Sequence, residues 1–305
     1  MNQFGVMVGL NKKDAFEGWF TKIDDQKNGL MLSIIWGYST NENNKHAFIQ
    51  FQDNLRYTTT YVSYPIDELK WEDDPFVLKI GKNELSEKGI ILDFIKDGIP
   101  VKGEFSFGKF TKIKQTLLKP NIMGWLTFFP NECNHSIISM DHKVNGNIQI
   151  GDQSWKIIDA DGYIEKDWGT GFPKEYVWVQ ANDWKNSAVV FGYATVPALG
   201  MYFRGFFLVL HHGGKEYRFT NIEGSKITDF HVSTDSISAT IEKKGIRIKL
   251  KAKQFNPVLL AAPQKGEMKS KIKESLDGNI ELTLELENQK PIKISSKRAS
   301  IDVHY

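Results

Sequence analysis

The sequence predicts an all-β fold made of two similar antiparallel units, with few and short helices. Three observations carry that expectation. Apolar and polar residues alternate with a period of two through most of the 305 residues, in runs rich in Val, Ile, Phe, Tyr and Thr. Gly-containing turn signals fall between these runs, as in HHGGKEY (Gly213-Gly214), EKKGIRI (Gly245) and VNGNIQI (Gly146), where a tight reversal favours positive φ. Helical periodicity is confined to Pro65–Lys70, long enough for one turn, and to Lys265–Leu276, whose lysines read as a solvated helix face.

Taken in order, the strand patterns begin with Gly18–Ile23, Leu30–Tyr38 and Ala47–Gln52, apolar runs interrupted by polar turn residues. Tyr57–Tyr64, Phe76–Ile80, Ile90–Ile95 and Val101–Phe107 follow, then Ser136–Val144, Asn147–Ile150 and Trp155–Ile158. The second half reads Val177–Asn182, Ala188–Thr195, Phe203–Leu210, Lys215–Thr220, Lys226–Ser233, Ser236–Lys243 and Ile246–Lys253. Gly278–Leu286, Lys290–Ser295 and Ala299–His304 complete the series. The first three strands of each half correspond, and so do the later hairpins KNELSEKGIILDF and TDSISATIEKKGIRIKL. This weak internal repeat predicts an N-terminal β domain over 1–151 and a C-terminal one over 152–305.

Composition excludes several classes. Net charge is +2, which gives no basic footprint for nucleic acid. No run approaches the ~18–20 apolar residues of a membrane-spanning helix. The start, MNQFGVMVGLNKKD, lacks the pattern of a secretory leader. A single cysteine, Cys133, fits a reducing compartment, so a soluble cytoplasmic protein is expected.

Charge and aromatic surface are concentrated in GYIEKDWGTGFPKEYVWVQANDW (Gly162–Trp184). In an extended segment Glu165 and Asp167 leave on one face and Lys166 on the other. Two inward carboxylates roughly 7 Å apart resist joint ionisation, and the one that keeps its proton can donate it. A turn whose charges meet solvent or one another fits the same spacing. Gly169 and Gly171 allow a sharp turn and Phe172-Pro173 fixes its exit. Beyond it Tyr176, Trp178, Gln180 and Asn182 share one face and Val177, Val179 and Ala181 the other. That suits a barrel wall around a ligand, or a core Trp with a polar rim. Lys166 is expected to tie the loop down through an ion pair.

Glu17-Gly18-Trp19-Phe20 is a second carboxylate beside aromatic surface, either part of a site or the start of a strand. His46 precedes AFIQF, at a barrel mouth or in a loop. His135, Asp141 and His142 do not share the face spacing of metal ligands, so no metal is expected. Cys133 lacks a CxxC partner and an adjacent base and is expected to be inert. GxSxG, P-loop and HExxH motifs do not occur.

Tyr163, Glu165, Lys166, Asp167, Trp168, Gly169, Phe172 and Pro173, followed by Trp178 and Gln180, resemble the signature of the tocopherol cyclase family, Y-x-E-K-[N/D]-W-G-x-x-F-P then W-x-Q. FEGWFTKI, HAFIQ, NIMGWLTFFPNECNHSIISMDH and ESLDGNIELTL resemble further family blocks in the expected order. The resemblance implies a pair of lipocalin-like β domains of barrel or sandwich type. It also implies the cofactor-free closure of a prenylated hydroquinone into a chromanol. Position 167 is Asn in some members.

Such chemistry needs an acid to protonate a trisubstituted alkene, a dry π-rich wall, and a phenol oxygen held near the cation. Glu165 is the expected proton donor, with Asp167 or Glu17 as substitutes. Trp19, Trp168 and Trp178 offer π surface. Gln180 and Asn182 are expected to bind hydroxyls, and Tyr163 and His46 to line the site. The expected partner is a hydrophobic small molecule, with transient contact at a membrane surface. The alternative is a lipocalin-like carrier that binds an isoprenoid or other hydrophobic ligand and releases it unchanged.

Overall fold

The computed structural model describes residues 3–116, 119–128, 131–198 and 201–305. The described residues form strands joined by turns, with three 3₁₀ turns and no α-helix. Two antiparallel sheets account for the all-β class that the period-two pattern predicts, and two compact units contain them.

The first unit runs to Phe172 and also takes Leu260–Lys271. Its strands are β1 (Phe16–Asp25), β2 (Leu30–Ser39), β3 (His46–Asp53), β4 (Thr58–Pro65), β5 (Leu69–Asp73), β6 (Phe76–Ile80), β7 (Asn83–Ser86) and β8 (Gly89–Lys96). β9 (Ile99–Phe107), β10 (Cys133–Ile150) and β11 (Gln153–Gly169) complete them. The sheet order is β4-β3-β2-β1-β11-β10-β9-β8-β7-β6-β5, so the non-sequential pairing of β1 with β11 brings the start of the sheet against the charged motif. β4 and β5 are linked by the 3₁₀ turn Ile66–Glu68, where the sequence predicts one helical turn.

The second unit holds β12 (Glu175–Trp184), β13 (Ser187–Ala198), β14 (Met201–His212), β15 (Lys215–Thr220), β16 (Lys226–Val232), β17 (Ser236–Lys243) and β18 (Ile246–Lys253). β19 (Val258–Gln264) and β20 (Glu267–Leu286) follow, their Leu260–Lys271 stretch belonging to the first unit, and β21 (Ile292–His304) ends the series. Its order, β15-β14-β13-β12-β21-β20-β18-β17-β16, repeats the pattern of the first: four consecutive strands, then a jump to the last strands of the unit. β1, β2 and β3 therefore correspond to β12, β13 and β14, as the internal repeat predicts.

Three expectations need correction or relocation. Lys265–Leu276 is no helix: Lys265 and Gly266, both at positive φ, turn β19 into β20, and the lysines alternate along a strand. VNGNIQI is no reversal either, because β10 continues through Gly146 with a bulge beside it. Gly151 lies in the turn between the paired strands β10 and β11, whereas the chain passes from one unit to the other at Phe172/Pro173.

Each unit has its own core. In the first, Trp19, Leu32, Ile34, Trp36, Phe51 and Phe76 belong to one buried cluster. The N-terminal segment joins it: Phe4 stacks on Phe76 at 5.2 Å and its carbonyl accepts the Trp19 indole N–H at 3.0 Å. In the second, Val177, Val179, Phe191, Leu208, Ile248 and Ile301 do the same.

Candidate functional site

β11 lies between β1 and β10, and side chains alternate across it. Tyr163, Glu165 and Asp167 leave on one face; Ile164, Lys166 and Trp168 leave on the other, toward the core. Opposite residues in an antiparallel pair share a face. The register sets Phe20 beside Glu165, Trp19 beside Lys166 and Glu17 beside Trp168. On the other flank it sets His135 beside Asp167 and Ile137 beside Glu165.

The inner face holds a closed ion-pair network. The Lys166 ammonium donates to Glu17 Oε1 at 2.6 Å with both side chains fully buried. Glu17 also accepts the Tyr38 hydroxyl at 2.6 Å and the backbone N–H groups of Met7 at 2.8 Å and Val8 at 2.9 Å. Lys166 donates further to the Gly5 carbonyl, and it lies 5.0 Å from the Trp19 ring and 5.1 Å from the Trp168 ring. Burial pushes the Lys166 pKa down while Glu17 pulls it up. Burial, with the Glu17 charge next to it, pushes the Tyr38 pKa up and keeps its hydroxyl a donor.

This corrects three expectations. Glu17 is saturated by donors and serves the fold rather than standing ready as an acid. Trp19 and Trp168 lie on the opposite side of the sheet from Glu165, so they cannot wall the site that Glu165 faces. They flank the Lys166 ammonium instead.

The other face gathers Tyr163, Glu165, Asp167 and His135. The Tyr163 hydroxyl donates to Glu165 Oε2 at 2.6 Å. His135 Nδ1 lies 2.9 Å from Asp167 Oδ1, and its Nε2 lies 3.5 Å from Glu165 Oε2. Tyr163 and Glu165 are buried; His135 and Asp167 are nearly so. Burial alone would push the His135 pKa down, but the charges of Glu165 and Asp167 outweigh it and lift it to about 9. Burial, reinforced by the Glu165 charge, pushes the Tyr163 pKa well up, so its hydroxyl stays protonated. Phe20 meets Tyr163 edge-on at 6.4 Å and adds π surface.

The ligating atoms of His135, Glu165 and Asp167 lie within 4.8 Å of one another, close enough to share a cation. The charged imidazole is itself that cation, and a metal ion would have to displace its proton. His142, by contrast, sits edge-on to Phe107 and Phe110 at 4.8 and 4.9 Å, and burial lowers its pKa to about 3. The half-buried Cys133 is a poor nucleophile: burial, then the charges of Asp167, Glu132 and Glu165, push its thiol pKa well up.

The remaining expected residues lie around this cluster or in the second unit. A Cβ on Gly169 would stand 2.1 Å from the Glu132 carbonyl oxygen, so only glycine lets the chain leave β11 here. Gly171 passes 3.2 Å from Pro263 O by the same measure. Phe172 donates its N–H to Pro263 O at 3.1 Å and packs edge-on against Phe16, and Pro173 opens the second unit. His46 bonds the Asn44 carbonyl at 2.8 Å and the Tyr61 hydroxyl at 2.6 Å, three strands away from Glu165. In the second unit Tyr176, Trp178, Gln180 and Asn182 project from the face of β12 opposite its core, and Gln180 donates to Asn182 at 3.0 Å.

His135 is the site residue that sequence reasoning missed. Its signal is the β10–β11 hairpin, whose register from the Gly151 turn brings the CNHS segment opposite EKDW.

Residues 100–304 match the family described as tocopherol cyclase-like. A chloroplastic protein of Oryza sativa subsp. japonica, named as a probable tocopherol cyclase, is 30% identical over 33% of this chain and 23% of its own length. The shared stretch therefore spans about a quarter of that relative. A crystal structure assigned as AttH of Nitrosomonas europaea superposes with a TM-score of 0.52 at 11% identity, covering 100% of this chain and 95% of that one. Kievitone hydratase of Nectria haematococca gives 0.51 at 11%, covering 94% and 88%. At these identities the two structures establish the fold alone. The family match extends over two thirds of the sequence and includes both β10 and β11, and on that ground the chain belongs to the tocopherol cyclase-like family.

Proposed function

We propose that this protein closes a ring in a prenylated hydroquinone or a related isoprenoid, by protonating an alkene and capturing the cation with a phenol oxygen. Family membership supports a related catalytic or binding function. The observation that carries the finer reading is His135, held between the carboxylates of Glu165 and Asp167 with the Tyr163 hydroxyl on Glu165.

Ring closure of this kind begins with a proton stored away from water. His135 holds one until the pH passes about 9, and Glu165 Oε2 lies beside both the imidazole and the Tyr163 hydroxyl. In this reading Glu165 relays that proton to one alkene carbon. A C–H bond forms, the π bond breaks, and the neighbouring carbon becomes a tertiary cation. The phenol oxygen bonds to that carbon, and the phenolic proton returns to the carboxylates and His135. The product is an isomer of the substrate and no cofactor is consumed. Asp167 orients the imidazole, while Phe20 and Tyr163 offer π surface on the same face. Trp178, Gln180 and Asn182 are buried on β12 of the second unit and take no step in this reading. The free thiol of Cys133 fits a cytoplasmic setting.

Incubation of the pure protein with a prenylated hydroquinone, followed by mass analysis, tests the reading. A product of unchanged mass that has lost its alkene and one phenol hydroxyl supports ring closure. Gain of one water would make the protein a hydratase, and recovery of the substrate alone would make it a carrier.

A further inference from the structure

β1 is buried along its whole length, yet it carries a glycine, Gly18, between Phe16 and Phe20 on one face. A glycine inside a strand weakens it. Its usual reasons are a special backbone angle, a bulge, or something that comes close where a side chain would stand. The first two do not hold here. Gly18 lies outside the set of positive-φ glycines, and β1 pairs with β2 and β11 without a register shift. Crowding by the chain does not require it either. Among the described residues, a Cβ built on Gly18 would stand 3.5 Å from the Trp36 carbonyl oxygen and 3.8 Å from Ile35 Cγ2, both ordinary contacts. Its partner on β2, Gly37, is the contrast: a Cβ there would stand 2.6 Å from Phe48 Cζ and 2.8 Å from the Glu17 carbonyl oxygen. Packing dictates glycine at 37 and not at 18.

Around Gly18 stand the acid cluster on one side and aromatic rings on the others. Its register partner on β11 is Asp167, whose side chain shares that face, and Phe20 next to it is the partner of Glu165. The flanking rings are engaged elsewhere: Phe16 meets Phe172 edge-on at 5.5 Å and Phe20 meets Tyr163 at 6.4 Å. On the far side the Phe48 ring lies over Gly37. The missing side chain therefore leaves a slot with a π-rich rim that opens on the carboxylate pair. A flat apolar group fits such a rim, whereas a charged one would lose its hydration there without gaining a partner.

We propose that Gly18 is a specificity-determining position, which keeps a slot clear beside Asp167 for the substituted alkene of a prenyl chain. Naming the alkene rests on the ring-closure reading above, in which the carbon that takes the proton lies near Glu165. The flat, apolar character of the slot rests on the geometry alone. A larger residue at 18 fills the slot without removing any partner of His135, Glu165 or Asp167.

Equilibrium binding to the full chain, read by tryptophan fluorescence, tests it. The ligands are a prenylated hydroquinone and the same hydroquinone with a methyl group in place of the chain. Wild type should prefer the prenylated ligand. Gly18→Leu should reduce that preference at least ~10-fold, with Gly18→Ala between the two. An unchanged preference in Gly18→Leu would overturn the proposal, as would equal losses for both ligands or a wild type with no preference. Should Gly18→Leu fail to fold, Gly18→Ala decides alone, because its Cβ has room: a lowered preference supports the slot and an unchanged one overturns it. Turnover in the same samples separates the slot from the chemistry. A wild type that prefers the prenylated ligand yet forms no cyclic isomer ends the ring-closure reading and leaves the slot as a prenyl-binding feature. Ring closure by Gly18→Leu at the wild-type KM removes the slot and leaves ring closure.

Discussion

His135 carries the charge that makes the cluster sensitive to pH. Its pKa rises from the ordinary 6.5 to about 9 in the folded protein, because two carboxylates face it. The sign of the linkage follows: the folded state binds the proton more tightly, so this stabilisation is complete below pH 6.5 and fades as the pH climbs through about 9. Urea midpoints should therefore fall over that interval in wild type, and His135→Asn should lose that downward slope. Lys166 lies on the opposite face of β11, paired with Glu17. Lys166→Met leaves the Glu17 carboxylate buried without its cation, and should cost about 3–5 kcal/mol in urea unfolding. Adding Glu17→Gln to it should restore part of the loss. Parity in the sequence already separates Glu165 from Lys166 and, three residues on, from Trp168. That Trp19 joins Lys166 was not legible, because it depends on pairing between strands more than a hundred residues apart.

β10 and β11 decide which side chains meet. Bulges in β10 shift its register against β11, and a simple count back from the Gly151 turn would set Ser136, not His135, opposite Asp167. The sequence thus shows that two polar strand segments converge, but not which of their residues share a face. The lysines of β20 misled for a related reason. Lys269, Lys271 and Lys273 recur every second residue, the period of a strand, although a dense charge run also suits a solvated helix. The end of β11 gives a test at this scale. Gly169→Ala drives a Cβ into the Glu132 carbonyl, and overpacking of that kind costs about 1–3 kcal/mol, readable as a lowered urea midpoint.

The correspondence of the first three strands of each half was legible in the sequence, but the sheet order that joins β1 to β11 and β12 to β21 was not. The discontinuity of the first unit was not, because its missing piece lies far along the chain. Gln50 bonds both the N–H and the carbonyl of Ala261, and Ser39 donates to the Gly266 carbonyl, so the tip of the β19–β20 hairpin is part of that unit. A fragment of residues 1–151 lacks β11, the strand between β1 and β10, and should show no cooperative unfolding by near-ultraviolet circular dichroism. A native-like spectrum from that fragment would contradict the pairing described. The reaction is the central claim at this scale, and deuterium labelling reaches it most directly. Wild type incubated with a prenylated hydroquinone in D₂O should yield a cyclic isomer bearing one deuterium on carbon. Glu165→Gln should fold normally yet form it at least ~100-fold more slowly. An unlabelled product, no product from wild type, or an undiminished rate in Glu165→Gln would contradict the account.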